Sequence, residues 1–529
     1  MNTERISIIA GEKGVRTRFA PSPTGFLHIG GVRTALFNWL FARKHYGKYL
    51  LRIDDTDRER NVEAALAPIL HGFRWLEIGW DEGPEVGGPH APYFQSQRSH
   101  RYQAAVDRLV ENGNAYYDYA KADEMEAERK VATDGKFQFV YSRKWMAKDE
   151  AERERFAAEG RAWVVRLKMP REGKLLLHDE VRGDVEFQWQ QEADHVIQRG
   201  DGSFIYHLAS VVDDFDFGVS HVIRAEEHLS NTPRQVFIVD SLQYPRPVYA
   251  HLPYVAEPGS KKKLSKRKLD QYLKNHEFKK VHDHGMQIAA AMKLTTTQET
   301  FNPVVVDFYE QVGYLPDAIV NYLVLLGWSL DDKTEYLTRA QMIENFSLAR
   351  VNVAPASFDP AKLDSFQMQY MKAVPIDEKV RRVRPFLERA GWLKGEDDVY
   401  LGRVIEAIGD RLKVFGDVLL QAPFFFGEDV ASVDDKAFDK RVRLPGAVEK
   451  LAEYRGWLAG APEFTAAALE AGTQAWLAER ALGLGDIVHA VRVATTGVAG
   501  GPGLFECLAL LGRERCVRRI DTAIARAKG

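Results

Sequence analysis

The chain has 529 residues, 45% hydrophobic and 28% charged, with a formal net charge of −3. That is the composition of an ordinary globular protein, and the length suggests roughly three to five domains. No global excess of Lys and Arg marks a nucleic-acid binder, so contact with phosphates has to come from local clusters.

Met1 to Gly14 reads as a short flexible extension. Val15 to Ala20 carries a strand signal, which Pro21, Pro23 and Gly25 then break. Gly30 and Gly31 remove side chains where a helix begins, and Thr34 to Tyr46 has helical periodicity. A strand, tight turn and helix N-terminus in that order present backbone N–H groups to an anion, usually a phosphate. His28 sits inside the turn, so an imidazole donor points at the same place. Tyr49 to Ile53 is a buried strand and Arg101 to Gly113 a helix, so residues 15–115 read as the first half of a parallel, nucleotide-binding α/β domain.

Residues 116–203 change character. Charged helical runs at Ala122 to Ala132 and Ala147 to Gly160 precede strand-like Trp163 to Lys168 and Val185 to Trp189, an α+β insertion. The α/β pattern resumes over 204–258, with Phe204 to Ala209 and Val219 to Arg224. Residues 259–375 form a further segment: a Lys-rich loop, an irregular Lys/His-rich then Thr-rich stretch from Asn275 to Asn302, and an amphipathic helix from Tyr314 to Trp328. From 376 to 529 nearly everything reads as helical. Cys507 and Cys516 are the only cysteines and form no CxxC. Neither a disulfide framework nor a thiolate zinc site is expected, which fits a cytoplasmic, reducing setting. No apolar run is long enough to span a bilayer, and no signal-peptide core is present, so no membrane partner is expected.

The run Arg16-Thr-Arg-Phe-Ala-Pro-Ser-Pro-Thr-Gly-Phe-Leu-His-Ile-Gly-Gly-Val-Arg33 resembles the "HIGH" signature of class I aminoacyl-tRNA synthetases, in the form used by bacterial glutamyl-tRNA synthetases. Lys261-Lys-Lys-Leu-Ser-Lys-Arg-Lys268 is similar to their "KMSKS" loop, with Lys263, Ser265 and Lys266 at its key positions. Forming an adenylate builds charge on the α-phosphate and on departing pyrophosphate, which calls for mobile ammonium donors. Asp179-Glu-Val-Arg-Gly183, Val211-Val-Asp-Asp214, Ile223 to Pro233 and Ala318 to Ser329 look like segments of the same family in the right order. So do Leu482-Gly-Leu-Gly485, Arg492 to Gly497 and Pro502 to Glu506 near the C-terminus. The resemblance therefore covers essentially the whole chain. It implies an α/β Rossmann-like catalytic domain with an α+β acceptor-binding insertion, followed by a mostly α-helical anticodon-binding C-terminal region.

The resemblance also assigns roles. His28, Gly30, Gly31, Lys263, Ser265 and Lys266 would bind ATP, with His28, Lys263 and Lys266 catalytic. Arg18 and Arg224 would hold the side-chain carboxylate of glutamate, which suits the planar fork of Arg, with Tyr206 adding a hydroxyl. Ala20 and Ser22 would meet the amino end. Asp54 stands where the family usually has Glu and would pair with the ammonium. It is one methylene shorter, a loss of reach of about 1.5 Å, so contact is expected through a local shift or a water. His228 is expected to touch the terminal adenosine or the amino acid, with packing as the alternative. Arg411, Arg515 and Arg519 are candidates for tRNA contact, with Lys413, Arg513, Arg518 and Arg526 near them.

The implied reaction is ATP-dependent activation of L-glutamate and transfer to the 3′-terminal adenosine of tRNA-Glu by a monomer. Mg²⁺ would travel with ATP, and no structural zinc is expected, because the stretch Ala115 to Ala120 offers aromatics and no thiols. Whether tRNA-Gln is also charged is left open. Two rivals are a truncated paralogue that glutamylates an anticodon base of tRNA-Asp, which lacks the C-terminal helices, and a catalytically silent tRNA-binding paralogue. About thirty residues after the lysine loop exceed the usual family spacing, a loop excess in which His276, His282 and His284 read as solvated rather than as metal ligands.

Overall fold

The computed structural model describes residues 14–23, 25–56, 66–136, 139–430 and 433–529. The expected N-terminal extension up to position 13, Thr24 in the first signature and Asp57 after Asp54 lie outside them. The chain divides into two compact units. One comprises Met1–Asn275, Val304–Asp307 and Ile319–Pro360, and the other His276–Pro303, Phe308–Ala318 and Ala361–Gly529.

In the first unit, β1 (Arg16–Phe19) pairs in parallel with β2 (Lys48–Leu51), from Arg16↔Lys48 to Phe19↔Leu51. The crossover between them is α1 (Ile29–Lys44), buried continuously from Val32 to Ala42. A helix covered on every side cannot show the one-faced apolar stripe of a surface helix. Asn38 locks it to the sheet: its side-chain amide donates to Ile223 O (2.9 Å), and its backbone carbonyl accepts from Thr17 Oγ1 (2.9 Å).

Helix α2 (Ser99–Glu111) leads into the insertion, made of β3 (Ala115–Asp118), α3 (Ala122–Asp134), α4 (Glu150–Ala158) and β4 (Val164–Leu167). A hairpin of β5 (Lys174–Asp179) and β6 (Gly183–Gln188) and the short β7 (Val196–Gln198) follow. β3, β4 and β7 form one antiparallel sheet. The chain then returns through α5 (Tyr206–Asp216), β8 (His221–Ala225), α6 (Thr232–Ser241) and β9 (Val248–Leu252). β8 and β9 pair in parallel over their whole length, and β9 meets β5 at Asp179↔Tyr249. β1 is tied to the start of β8, where Ser220 N–H donates to Arg16 O (3.0 Å). The C-terminal ends of β1 and β8 thus open on one rim, where ligands of open α/β sheets bind.

Phe204 to Ala209, where the α/β pattern resumes, is the turn into α5 and its first residues.

The insertion is pinned by two buried carboxylates. Asp118 accepts from Tyr141 Oη (2.6 Å) and Arg166 Nε (2.6 Å). Asp194 accepts from Tyr116 Oη (2.8 Å), Arg143 Nε (2.6 Å) and Met169 N (3.0 Å). Removing either carboxylate would strand charged and phenolic groups away from water, a loss of about 3–5 kcal/mol for a buried pair. Among the described residues, no group of three His, Cys, Asp or Glu side chains is arranged to hold a metal. The insertion carries no thiols, and metal analysis of purified, dialysed protein is expected to find well below one zinc per chain. Stoichiometric zinc that survives a chelator would overturn this account of the insertion.

In the second unit the stretch after the lysine loop is a correction. Residues His276–Ala291 form a regular helix with Phe278, Val281, Gly285 and Ile288 buried. His284 Nε2 lies 2.6 Å from Asp417 Oδ1, so this histidine joins two elements of the unit rather than a metal. Beyond 376 the helices Ile376–Arg389, Asp398–Ile408, Ala447–Gly460, Ala466–Glu479, Val488–Thr496, Leu504–Leu511 and Arg513–Lys528 carry the fold.

Candidate active site

A cleft of about 1010 Å³ opens at the rim of β1 and β8. All the residues expected from the two signatures and from the glutamate pocket line it, from Arg18 to Lys266. Residues 240 positions apart in sequence meet there because α1 begins, and the lysine loop lies, at the same edge of the sheet.

His28 is the N-cap of α1, and its Nδ1 accepts the N–H of Gly30 (2.9 Å). That bond places the ring proton on Nε2, a buried atom with no hydrogen-bond partner among the described residues. Burial, helped by the charges of Lys266 and Lys263, lowers the His28 pKa to about 3. The ring is therefore a neutral donor in the cleft. A Cβ on Gly30 would stand 3.2 Å from His28 Nδ1, so a side chain there would press on this contact. Gly25 has φ +128°, and a Cβ would come within 3.3 Å of Lys266 Nζ.

The lysine loop closes onto these groups. Lys266 Nζ donates to Phe26 O (3.0 Å), and Lys263 pairs with Glu227. Ser265 N–H donates to Tyr272 Oη (2.9 Å), and Ser265 lines the cleft. Glu227 also lines the cleft and was not picked out from sequence, because a Glu beside Glu226 in a short polar turn carries no signal of its own.

Behind the cleft lies an ion network. Arg18 grips Asp214 with two parallel bonds of 3.0 Å. Arg52 joins Asp54 (2.6 Å) to Asp214 (2.7 Å) through the oxygen that Arg18 Nε also uses, and Arg98 holds Asp213 (2.6 Å). Burial raises the Asp54 pKa to about 6 despite Arg52, so its charged form gains from another cation. Arg52, Asp213 and Asp214 were invisible as site residues, since their role depends on pairing across more than 150 residues.

Arg224, at the end of β8, is 5% exposed and differs from Arg18 in its partners. Its Nε donates to His251 Nε2 (3.0 Å), Nη1 to Gln235 Oε1 (2.5 Å), and Nη2 to Thr232 Oγ1 (2.9 Å) and His228 O (3.4 Å). These acceptors are all neutral. Tyr206, the first residue of α5, places its hydroxyl 3.4 Å from His228 Nδ1, and the two rings lie 5.7 Å apart. Ala20 and Ser22 follow β1 on the cleft wall.

Burial likewise lowers His207, His221 and His228 to about 4. With His28 these rings stay neutral in the fold, whereas in the unfolded chain they take a proton near pH 6.5. Below that pH the unfolded state binds more protons, so stability is present above about 6.5 and falls as the pH drops toward 4. The urea midpoint is expected to decline steadily over that window, and a midpoint constant from pH 7 to 4.5 would refute the assignment.

Residues 14–304 and 300–365 match the catalytic domain of class I tRNA synthetases (E and Q), and residues 378–524 match an anticodon binding domain. The chain belongs to this class I synthetase family. The glutamate–tRNA ligase of Moorella thermoacetica is 40% identical over 513 residues, 96% of this chain and 98% of that one. That of Desulforudis audaxviator is 38% identical over 518 residues, 97% and 96% of the two chains. A crystal structure of a glutamate tRNA ligase from Elizabethkingia meningosepticum, in complex with its amino acid, is similar at a TM-score of 0.82. It is 30% identical, with 97% of this chain and 99% of that chain covered. The chain is thus an ATP-using aminoacyl-tRNA synthetase, and among its described residues no helix is long and apolar enough to cross a membrane.

In the synthetase's second unit the tRNA-contact candidates part ways. Arg411 is exposed in a short turn, Gly409–Arg411. Arg519 is 2% exposed and gives its guanidinium to the carbonyls of Phe424 (2.8 Å), Gly427 (2.6 Å) and Thr495 (2.7 Å). It braces the helix Arg513–Lys528 against its neighbours, and its place on a free basic face is withdrawn. Arg515 is half-buried and donates to Leu511 O (2.7 Å) and Phe425 O (3.1 Å). Arg518 and Arg526 pair with Glu428 and Asp435.

Proposed function

We propose that this synthetase is a glutamate–tRNA ligase: it condenses L-glutamate with ATP to glutamyl-adenylate and pyrophosphate, then passes the glutamyl group to the 3′-terminal adenosine of tRNA-Glu. The observation that carries this reading is Arg224. It is a buried cation without a carboxylate partner among the described residues, in a cleft that also holds both nucleotide signatures. A buried charge needs a counter-charge, and a side-chain carboxylate supplies one in bidentate geometry.

In this reading Arg224 and the outer edge of Arg18 hold the glutamate side chain, with the Tyr206 hydroxyl beside them. The ammonium goes to Asp54, by a small shift or through one water, while Ala20 and Ser22 flank it. His228, neutral and beside the tilted ring of Tyr206, borders the place where the terminal adenosine meets the amino acid. The α-carboxylate is left to attack the α-phosphate in line. His28 Nε2–H and the N–H of Gly31 face the phosphates, Gly30 offers bare backbone while its own N–H stays on His28 Nδ1, and Lys263 and Lys266 take up the charge that develops on pyrophosphate. Lys263 has to leave Glu227 to do so. The described acidic side chains form no three-residue cage, which suits an Mg²⁺ ion that arrives with ATP and keeps mostly phosphate and water ligands. When bound, that ion neutralises phosphate charge. Arg411 is the strongest of the candidate tRNA contacts, and Arg515 keeps only its outer edge for one. The enzyme acts in the cytoplasm as a monomer.

Pyrophosphate exchange driven by glutamate, with and without tRNA, tests the first step. Charging of purified tRNA-Glu and tRNA-Gln tests the second and fixes the tRNA range. Exchange driven by another amino acid, or by none, would sink the reading.

A further inference from the structure

The cleft holds two arginines at the ends of neighbouring strands, and they are held differently. Arg18 is gripped directly by the Asp214 carboxylate. Arg224 is gripped through an intermediate. Its Nε–H meets His251 Nε2 at 3.0 Å, and the other ring nitrogen, Nδ1, lies 2.6 Å from Asp179 Oδ2. His251 on β9 and Asp179 at the end of β5 are fully buried. They belong to no motif that binds substrate, and neither lines the cleft.

The chemistry along this chain is determined by its ends. Asp179 also accepts the backbone N–H groups of Val181 (3.0 Å), Arg182 (2.9 Å) and His251 (3.1 Å). Burial pushes its pKa up, but the His251 and backbone bonds outweigh that and hold it below the usual carboxylate value. An ionised Asp179 can only accept, so His251 carries its proton on Nδ1. Its Nε2 is then a lone pair, which is what the Nε–H of Arg224 requires. Burial keeps the ring neutral, against the pull of Asp179. A carboxylate placed directly on Arg224 would orient it equally well but cancel its charge. A neutral ring in between orients the guanidinium and leaves its charge to the ligand.

We propose that His251, its tautomer set by Asp179, is a positioning residue that aims Arg224 at the substrate carboxylate without neutralising it. This rests on the reading of Arg224 as the glutamate partner. The set Asp179–His251–Arg224 thereby governs affinity for glutamate and not for ATP.

The test exploits two amides. In His251→Gln the amide reaches the place of Nε2 and offers Arg224 an acceptor. In His251→Asn it stays at the place of Nδ1, keeps the Asp179 contact and abandons Arg224. Pyrophosphate exchange is measured in the presence of tRNA over separate glutamate and ATP titrations. His251→Asn is expected to raise the glutamate KM about tenfold or more, the worth of one hydrogen bond to a charged group, with kcat and the ATP KM within about twofold. His251→Gln is expected to recover most of the loss. Equal losses in both variants, or an ATP KM that rises in step, would overturn the proposal. If His251→Asn does not fold, His251→Gln decides alone, and a glutamate KM raised about tenfold with the acceptor retained counts against it. Arg224→Ala in the same assay separates the two claims. If Arg224→Ala is harmless the glutamate reading falls, and if it is damaging while His251→Asn is harmless only the positioning claim falls.

Discussion

Replacing Lys266 with alanine is expected to slow glutamyl-adenylate formation by about a hundred- to a thousandfold while glutamate binding stays near normal. Lys266 Nζ rests on Phe26 O, 3.0 Å away, at the turn that leads to His28. It lines the same cleft as His28, Gly30 and Gly31, so its ammonium stands where phosphate charge appears. Loss of one donor aimed at developing charge costs about 3–4 kcal/mol of barrier. The cost falls on the transition state and not on the ground state, so it belongs in the rate and not in the glutamate Kd. Single-turnover adenylate formation, followed beside a glutamate titration, measures both. Near-normal formation by Lys266→Ala would remove Lys266 from the chemistry.

Arg224→Ala is expected to lower kcat/KM for glutamate by at least tens-fold with ATP binding little changed, and Arg224→Lys to fail as a replacement. Truncating one side of a buried, hydrogen-bonded charge pair costs about 2–5 kcal/mol. Lysine cannot repair this, because the site uses the fork itself. Nε, Nη1 and Nη2 each answer a different neighbour, namely His251, Gln235 and Thr232. One ammonium cannot answer all of them and the substrate as well. The readout is pyrophosphate exchange over a glutamate titration in the presence of tRNA. Wild-type kcat/KM in Arg224→Ala would make Arg224 a structural residue and leave Arg18 alone to build the pocket around.

The strand, turn and glycines from Arg16 to Gly31 could be read directly, because each breaks or starts an element by local rules. The helical C-terminal region was equally plain. What escaped depended on distant partners. His276–Ala291 looked irregular since Lys and His interrupt it, yet Phe278, Val281, Gly285 and Ile288 keep helical spacing. Arg519 reads as solvent-facing by residue type, and only the carbonyls of 424–427, roughly ninety residues earlier, make it a core brace. Arg224 was placed in the cleft by resemblance, but His251 and Asp179, which hold it, lie on separate strands with no shared pattern.

The two cysteines bear on how the enzyme ages. Cys507 and Cys516 are buried, and desolvation pushes each thiol up to about 12. Oxidants and alkylating agents attack the thiolate, and at neutral pH almost none is present here. Peroxide or N-ethylmaleimide should therefore leave both thiols unmodified, and charging intact, as long as the chain stays folded.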